Sequence, residues 1–323
     1  MPARFRVLVT DRAWPDTMIE QQIVSEVDGQ IVEPDCSGEA ALIKAAATAD
    51  AIATNWAKVS EAVIRANPRC RVVSRFGIGV DNIDVGTATE LGIPVTNCPD
   101  YCVSEVSDHA LGLLLACARR IGLFHLRARR GAYDPTTPVP IQRIAGQTLG
   151  LVGLGKIARA LVPKARALGL NVMAHTPRGQ DYGTGVRMVS FGELLSASDY
   201  ISIHAPLTPQ TRHIFDARAF AQMRPTAYLI NTSRGGLIDH TALFEGLKRN
   251  ELAGAALDVF DPEPPDLVQP LFQDERVIVT PHAAFVSEQA IEQLRTEAMR
   301  NVVAVLSGRR PNNVLNPQIY SDR

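Results

Sequence analysis

Short apolar runs alternate with longer mixed stretches along almost the whole chain. In the first third the runs Phe5–Val9, Gln30–Val32, Ala51–Thr54, Val72–Ser74 and Pro94–Thr96 read as buried strands. The stretches between them, Asp16–Val27, Gly38–Ala47, Ser60–Ala66 and Val85–Leu91, read as helices. The pattern resumes with strands at Thr148–Val152, Asn171–His175, Arg187–Met188, Tyr200–Ile203, Ala227–Asn231, Gly254–Leu257 and Val277–Val279, again separated by helices. Alternation of this kind predicts parallel sheets covered by helices on both faces. Two such series predict two α/β domains.

One junction carries chemistry. The strand Thr148–Val152 runs into Gly153-Leu154-Gly155-Lys156-Ile157-Ala158, and a helix-compatible run to Leu168 follows. Gly153 permits a tight turn, Gly155 lets the backbone approach a pyrophosphate, and small Ala158 lets the helix pack on its strand, with the helix N-terminus facing the anion. The turn lies in mid-chain, so the second domain is the one expected to bind a dinucleotide. The helix from about Glu288 to Leu306 follows the last strand and is expected to return to the first domain. The expected architecture is therefore two doubly wound parallel sheets, with a Rossmann cofactor domain (101–288) inserted in a flavodoxin-like substrate domain (1–100 plus 289–323).

Composition narrows the class. Of 323 residues, 46% are hydrophobic and 21% charged, and the net charge is -1, a soluble globular mix that favours neither nucleic acid nor an anionic membrane as partner. A small anionic substrate therefore needs local positive charge. The N-terminus reads as a first strand rather than a signal peptide, and no apolar run approaches the ~18 residues of a membrane span. Cys36, Cys70, Cys98, Cys102 and Cys117 are odd in number and lack zinc spacing, so they read as buried or half-buried free thiols of a cytoplasmic protein, with no metal site.

In doubly wound sheets ligands sit beyond the carboxyl ends of the strands. Three late strands lead there into Asn231-Thr232-Ser233-Arg234-Gly235-Gly236, Asp258-Val259-Phe260-Asp261-Pro262-Glu263-Pro264 and Thr280-Pro281-His282-Ala283-Ala284. A cation, a carboxylate and an imidazole thus reach the same edge as the glycine turn. Such a set suits hydride transfer to a carbonyl beside a carboxylate: Arg234 to clamp the anion and polarise the carbonyl, His282 to exchange a proton with the oxygen, Glu263 to hold the other imidazole nitrogen.

In these motifs the chain resembles the D-isomer-specific 2-hydroxyacid dehydrogenases over nearly its whole length. The resemblance rests on Arg75–Asp84, Val106–Gly112, Gly150–Ala158, His204–Thr208, Asn231–Gly236, Asp258–Pro264 and Pro281-His282. It implies Arg234, Glu263 and His282 as the catalytic set. It implies cofactor contacts at Val106, Gly153, Gly155, Lys156, Ile157, Pro206, Thr232 and Asp258, the last facing the nicotinamide amide. It further implies that the backbone of Gly77, Ile78 and Gly79 holds the substrate carboxylate, with Asn55 and Trp56 on a substrate-facing loop. Members that prefer NAD end the second strand of the cofactor domain with an acid; here His175-Thr176-Pro177-Arg178 stands in its place, and Thr176 and Arg178 suit a 2′-phosphate. The expected cofactor is NADP ahead of NAD. Glu263, where formate dehydrogenases of the wider family carry glutamine, favours reduction of a 2-oxoacid. The expected partner is a small anionic 2-oxoacid or 2-hydroxyacid. A chain stopping at Arg323 is expected to lack the regulatory domains of many phosphoglycerate dehydrogenases. The apolar helix Glu105–Arg119 and the loop Gly131–Gly146 are expected to form a homodimer contact. Two alternatives share the scaffold: a dinucleotide-sensing corepressor and a phosphite dehydrogenase.

Overall fold

A computed structural model describes residues 3–321 except 37, 68 and 137–139. The chain divides into two compact units, Met1–Cys102 with Ser287–Arg323, and Val103–Val286. No single helix among the described residues is long and apolar enough to cross a membrane.

The first unit holds β1 (Phe5–Val9), β2 (Gly29–Val32), β3 (Ala51–Thr54), β4 (Val73–Arg75) and β5 (Val95–Thr96) in the order β2-β1-β3-β4-β5, every pair parallel. That is the order of the flavodoxin-like fold expected for the first domain. Leu8, Ile52, Val63, Ile64 and Val73 are fully buried at its core. β4 lies one residue later than the apolar pattern suggests, because it ends on a buried arginine. The Arg75 Nε donates to Asn82 Oδ1 at 3.1 Å and its Nη1 to Asn55 Oδ1 at 3.1 Å. Hydrogen bonds to fixed acceptors allow a cation where the pattern looks for an apolar side chain. The expected helix Asp16–Val27 is α-helical only over Met18–Val24; a single 3₁₀ turn, Ser25–Val27, follows and closes at Asp28 with φ 56°. The long helix Glu288–Leu306 belongs to this unit. Its buried Arg295 donates to both Glu20 oxygens, at 2.8 and 2.7 Å, and to Asp16 at 3.0 Å.

The second unit holds β6 (Thr148–Val152), β7 (Asn171–His175), β8 (Arg187–Met188), β9 (Tyr200–Ile203), β10 (Tyr228–Asn231), β11 (Gly254–Leu257) and β12 (Val277–Val279). Their order is β12-β11-β10-β9-β6-β7-β8, again all parallel. The chain runs outward one way from β6 and the other way from β9, so the topological switch point lies between these two strands. One face is covered by the helices Val103–Ala118 and Lys156–Ala167, through Ala110, Leu114, Ala158 and Leu161; Phe215, Phe220, Leu243 and Leu247 pack the other. The helix Ile121–Arg129 was not anticipated. Leu123 is its one buried residue among those described, so it offers little apolar stripe to read. Cys36 is exposed, unlike the half-buried thiol expected, whereas Cys70, Cys98, Cys102 and Cys117 are buried.

Candidate active site

Because the seven strands of the second unit are parallel, everything that follows them emerges at one edge. That edge gathers Gly153 and Gly155 after β6, Thr176 and Arg178 after β7, and Pro206 after β9. It also receives Thr232 and Arg234 after β10, Asp258 and Glu263 after β11, and His282 after β12. Gly153 adopts φ 95°, and a β-carbon built there would lie 2.7 Å from the His204 carbonyl carbon. Only glycine lets the turn after β6 press against the backbone after β9, at the switch point itself. Gly155 is the N-cap of the helix Lys156–Ala167, no side chain caps that helix end, and a β-carbon on Gly155 would meet nothing within 4 Å. The helix therefore begins at a glycine that contributes no capping side chain and leaves open space beside it. Ile157 sits in that first turn, Val106 is buried in the neighbouring helix Val103–Ala118, and Pro206 and Arg178 are exposed. Thr176 Oγ1 and Thr232 Oγ1 are buried without a hydrogen-bond partner. Buried hydroxyls left unpaired cost about 1–3 kcal/mol each, and a ligand rich in donors and acceptors relieves that cost. The residues fit a dinucleotide.

The imidazole is fixed from two sides. His282 Nδ1 donates to Glu263 Oε1 at 2.9 Å, which leaves Nε2 to face a ligand. The two side chains are 25% and 37% exposed, so the pair is reachable. His282 itself has φ 52°, and its N–H donates to the carbonyls of Asp258 at 2.8 Å and Thr280 at 3.0 Å. The Asp258 side chain is fully buried; it accepts from the Ala283 N–H at 2.9 Å, the Ala284 N–H at 3.0 Å and the Thr280 hydroxyl at 2.6 Å. The carboxylate read from sequence as a cofactor contact thus spends its hydrogen bonds on the turn that carries His282.

Arg234 sits in an equally constrained turn. Asn231 Oδ1 accepts from the Ser233 N–H at 3.0 Å, Asn231 Nδ2 donates to the Arg234 carbonyl at 2.9 Å, and Ser233 Oγ donates to the Ala205 carbonyl at 2.7 Å. Arg234 Nη1 donates to the Ser233 carbonyl at 2.8 Å. Close by, burial pushes the pKa of His204 down to about 4, and its Nε2 lies 2.9 Å from Ser202 Oγ.

The remaining predicted residues lie in the first unit. Asp11 accepts from the N–H groups of Asn55, Trp56 and Ala57 at 3.0, 2.7 and 3.2 Å, and Asn82 Nδ2 donates to the Asn55 carbonyl at 3.1 Å. Trp56 is 48% exposed. Gly77 has φ 155°, and a β-carbon on it would lie 2.8 Å from Arg75 Nη1. The Gly77 carbonyl accepts from the Cys98 N–H at 3.0 Å and the Ile78 carbonyl from Asn97 Nδ2 at 2.7 Å, so the first two carbonyls of the Gly77–Gly79 turn are tied down. The sequence reading quoted Asn82, His109 and Thr280 within its motifs but gave them no role, and it singled out neither Asp11 nor Asn97 as a site residue. Asp11 was findable, because it follows a strand end as the other site residues do.

A doubly wound sheet with a glycine turn at its switch point, and an imidazole–carboxylate pair on the same edge, is the architecture of a dinucleotide-binding domain. The model of the D-isomer specific 2-hydroxyacid dehydrogenase NAD binding domain matches residues 111–284. The chain belongs to the D-isomer specific 2-hydroxyacid dehydrogenase family. It is 37% identical to a D-3-phosphoglycerate dehydrogenase of Methanocaldococcus jannaschii, over 98% of this chain and 61% of that one, so it spans less than two thirds of that relative. It is 36% identical to a glyoxylate reductase of Korarchaeum cryptofilum, over 81% of this chain and 80% of the relative. A solved NADPH-dependent glyoxylate/hydroxypyruvate reductase from Sinorhizobium meliloti, in complex with NADP and malonate, superposes with a TM-score of 0.86 at 28% identity and covers 97% of each chain.

Proposed function

We propose that this chain catalyses nicotinamide-dependent reduction of a small 2-oxoacid to the D-2-hydroxyacid, and the reverse, with NADP preferred over NAD. The observation that carries the reading is the His282–Glu263 pair, 2.9 Å apart, on the same sheet edge as the open Gly153–Gly155 turn. Gly153, Gly155 and the start of the helix Lys156–Ala167 hold the pyrophosphate, and Thr232 lines the nicotinamide end. The bound nicotinamide supplies the hydride in reduction and takes it up in oxidation.

The protein's own residues do the rest. Arg234 binds the substrate anion and polarises the carbonyl with its planar fork of donors. Glu263 keeps the proton on His282 Nδ1, so Nε2 presents its own proton to the carbonyl oxygen as charge develops there. In the first unit, Asn55 and the Gly77–Gly79 turn offer a side-chain amide and backbone N–H groups, donors that suit a carboxylate. Thr176 and Arg178 stand where an NAD-type acid would repel a 2′-phosphate; the unpaired Thr176 hydroxyl and the exposed guanidinium both suit that group. The NADPH-dependent relative supports the same cofactor, and the glyoxylate and hydroxypyruvate reductases support small unbranched substrates. A homodimer through the segments 105–119 and 131–146, of which residues 137–139 lie outside the described residues, is part of the proposal, and light scattering at micromolar concentration checks it.

The deciding experiment is a panel of glyoxylate, hydroxypyruvate, pyruvate and 3-phosphohydroxypyruvate with NADPH and with NADH. Turnover of at least one acid, faster with NADPH, is expected. Intact binding of both cofactors with no turnover of any acid would overturn the reading.

A further inference from the structure

The helix Val103–Ala118 reaches the turn that carries His282 through a chain of hydrogen bonds that no feature of the sequence announces. His109 Nε2 lies 3.1 Å from Thr280 Oγ1, and Thr280 Oγ1 lies 2.6 Å from Asp258 Oδ1. A carboxylate oxygen facing a hydroxyl at that distance accepts the hydroxyl's hydrogen bond. The Thr280 oxygen is then left to accept, and His109 Nε2 is its donor. This ordering assigns the His109 tautomer with the proton on Nε2. The Asp258 oxygens complete the chain by accepting from the Ala283 and Ala284 N–H groups at 2.9 and 3.0 Å, and the Asp258 carbonyl accepts from the His282 N–H at 2.8 Å.

The turn needs such a brace. His282 stands at φ 52°, a left-handed conformation that a non-glycine residue leaves readily unless its surroundings hold it. The two peptide N–H groups that follow it are held by one side chain, Asp258, which is fully buried and cannot turn to water, while its own N–H is held by the backbone carbonyls of Asp258 and Thr280. The anchor at the far end is rigid. Ala110, Leu113, Leu114 and Cys117 of the helix Val103–Ala118 lie in the buried core that also contains Ala158 and Leu161.

We propose that His109 and Thr280 are positioning residues for catalysis: acting through Asp258, they hold the 280–284 turn so that His282 Nε2 keeps a fixed direction. The proposal rests on the reading of His282 as the proton donor. It places His109 outside direct contact with substrate, and it makes the helix Val103–Ala118 a mechanical support of the reaction centre.

The test measures glyoxylate or hydroxypyruvate reduction by the full chain, with NADPH affinity read separately from NADPH fluorescence. Thr280→Val keeps the shape of the side chain and removes the hydroxyl; His109→Leu removes the donor. Each is expected to lower kcat about tenfold, the worth of one buried hydrogen bond, with NADPH affinity within about twofold of the parent. His109→Gln places an amide N–H at similar reach and is expected to restore most of the kcat. The double variant His109→Leu/Thr280→Val is expected to be no slower than Thr280→Val alone, because both break one chain. A parental kcat in Thr280→Val and His109→Leu, or losses that add in full, would overturn the proposal. So would a loss confined to melting temperature, with unchanged kcat in the folded protein. His282→Ala separates the two levels: if it is fully active, the reading of the site fails; if it is inactive while Thr280→Val is unaffected, only the positioning proposal fails. Should His109→Leu not fold, Thr280→Val compared with Thr280→Ser carries the same decision.

Discussion

Gly235 and Phe260 meet backbone to backbone: a β-carbon built on Gly235 would lie 1.9 Å from the Phe260 carbonyl carbon. This contact joins the turn bearing Arg234 to the loop that leads to Glu263, across the neighbouring strands β10 and β11. Gly235→Ala is therefore expected to force the two segments apart, at a cost of about 3 kcal/mol, the upper end for overpacking. Urea unfolding checks the stability. Activity should fall further than the folded fraction does, since both catalytic turns move; a variant as stable as the parent would show the contact to be pliable.

His282→Ala is expected to lower kcat by about two to four orders of magnitude, the usual contribution of a positioned acid–base group. Cofactor affinity should change little, because the glycine turn lies on a different strand. Glu263→Gln keeps a hydrogen-bond acceptor near His282 Nδ1 and removes the charge, so a smaller loss of about ten- to a hundredfold is expected. Steady-state kinetics of the two variants side by side rank the residues, and an equal or greater loss in Glu263→Gln would reverse their assigned roles.

Arg178 is exposed, which limits what it can contribute. Opposite charges at such a site are worth about 1 kcal/mol or less, so Arg178→Ala is expected to weaken NADPH by about three- to fivefold while leaving NADH unchanged. Arg178→Ala combined with Thr176→Asp should go beyond that and invert the preference, since a carboxylate then faces the 2′-phosphate. The ratio of kcat/KM for the two cofactors is the measurement. It should also lose its dependence on salt once the guanidinium is gone.

His204 makes the protein sensitive to acid. Burial lowers its pKa from 6.5 to about 4, so the folded chain keeps it neutral where the unfolded chain takes up a proton. Its contribution is complete above pH 6.5 and is lost as the pH falls towards 4. Across that window the loss is at most about 3 kcal/mol. His204→Asn is expected to flatten this part of the acid limb in urea unfolding at pH 7.5 and pH 4.5. An unchanged slope would assign the acid lability to other groups.

Much of the fold was legible in the chain because burial on both faces of a parallel strand demands uninterrupted apolar runs. Phe5–Val9, Thr148–Val152, Asn171–His175 and Tyr200–Ile203 are strands over the same residues that the pattern marks. The pattern failed where polar groups replace apolar ones in the interior, as at Arg75, and where a helix buries almost nothing, as over Ile121–Arg129. The catalytic candidates were legible for a related reason: in a parallel sheet, chemistry follows strand ends, and Arg234, Glu263 and His282 all do.

Residue order alone determined two α/β units, the glycine turn and the identity of the candidate acid, base and cation. Tertiary structure decided what each carboxylate does. Glu263 and Asp258 are five residues apart in one loop, yet one faces His282 from the half-exposed surface and the other is sealed beneath the same turn, braced by Thr280 and His109 from other parts of the chain. Hydrogen-bond partners separated by 171 residues leave no local periodicity, because the direction of a side chain is set by packing between elements and not by its neighbours in sequence.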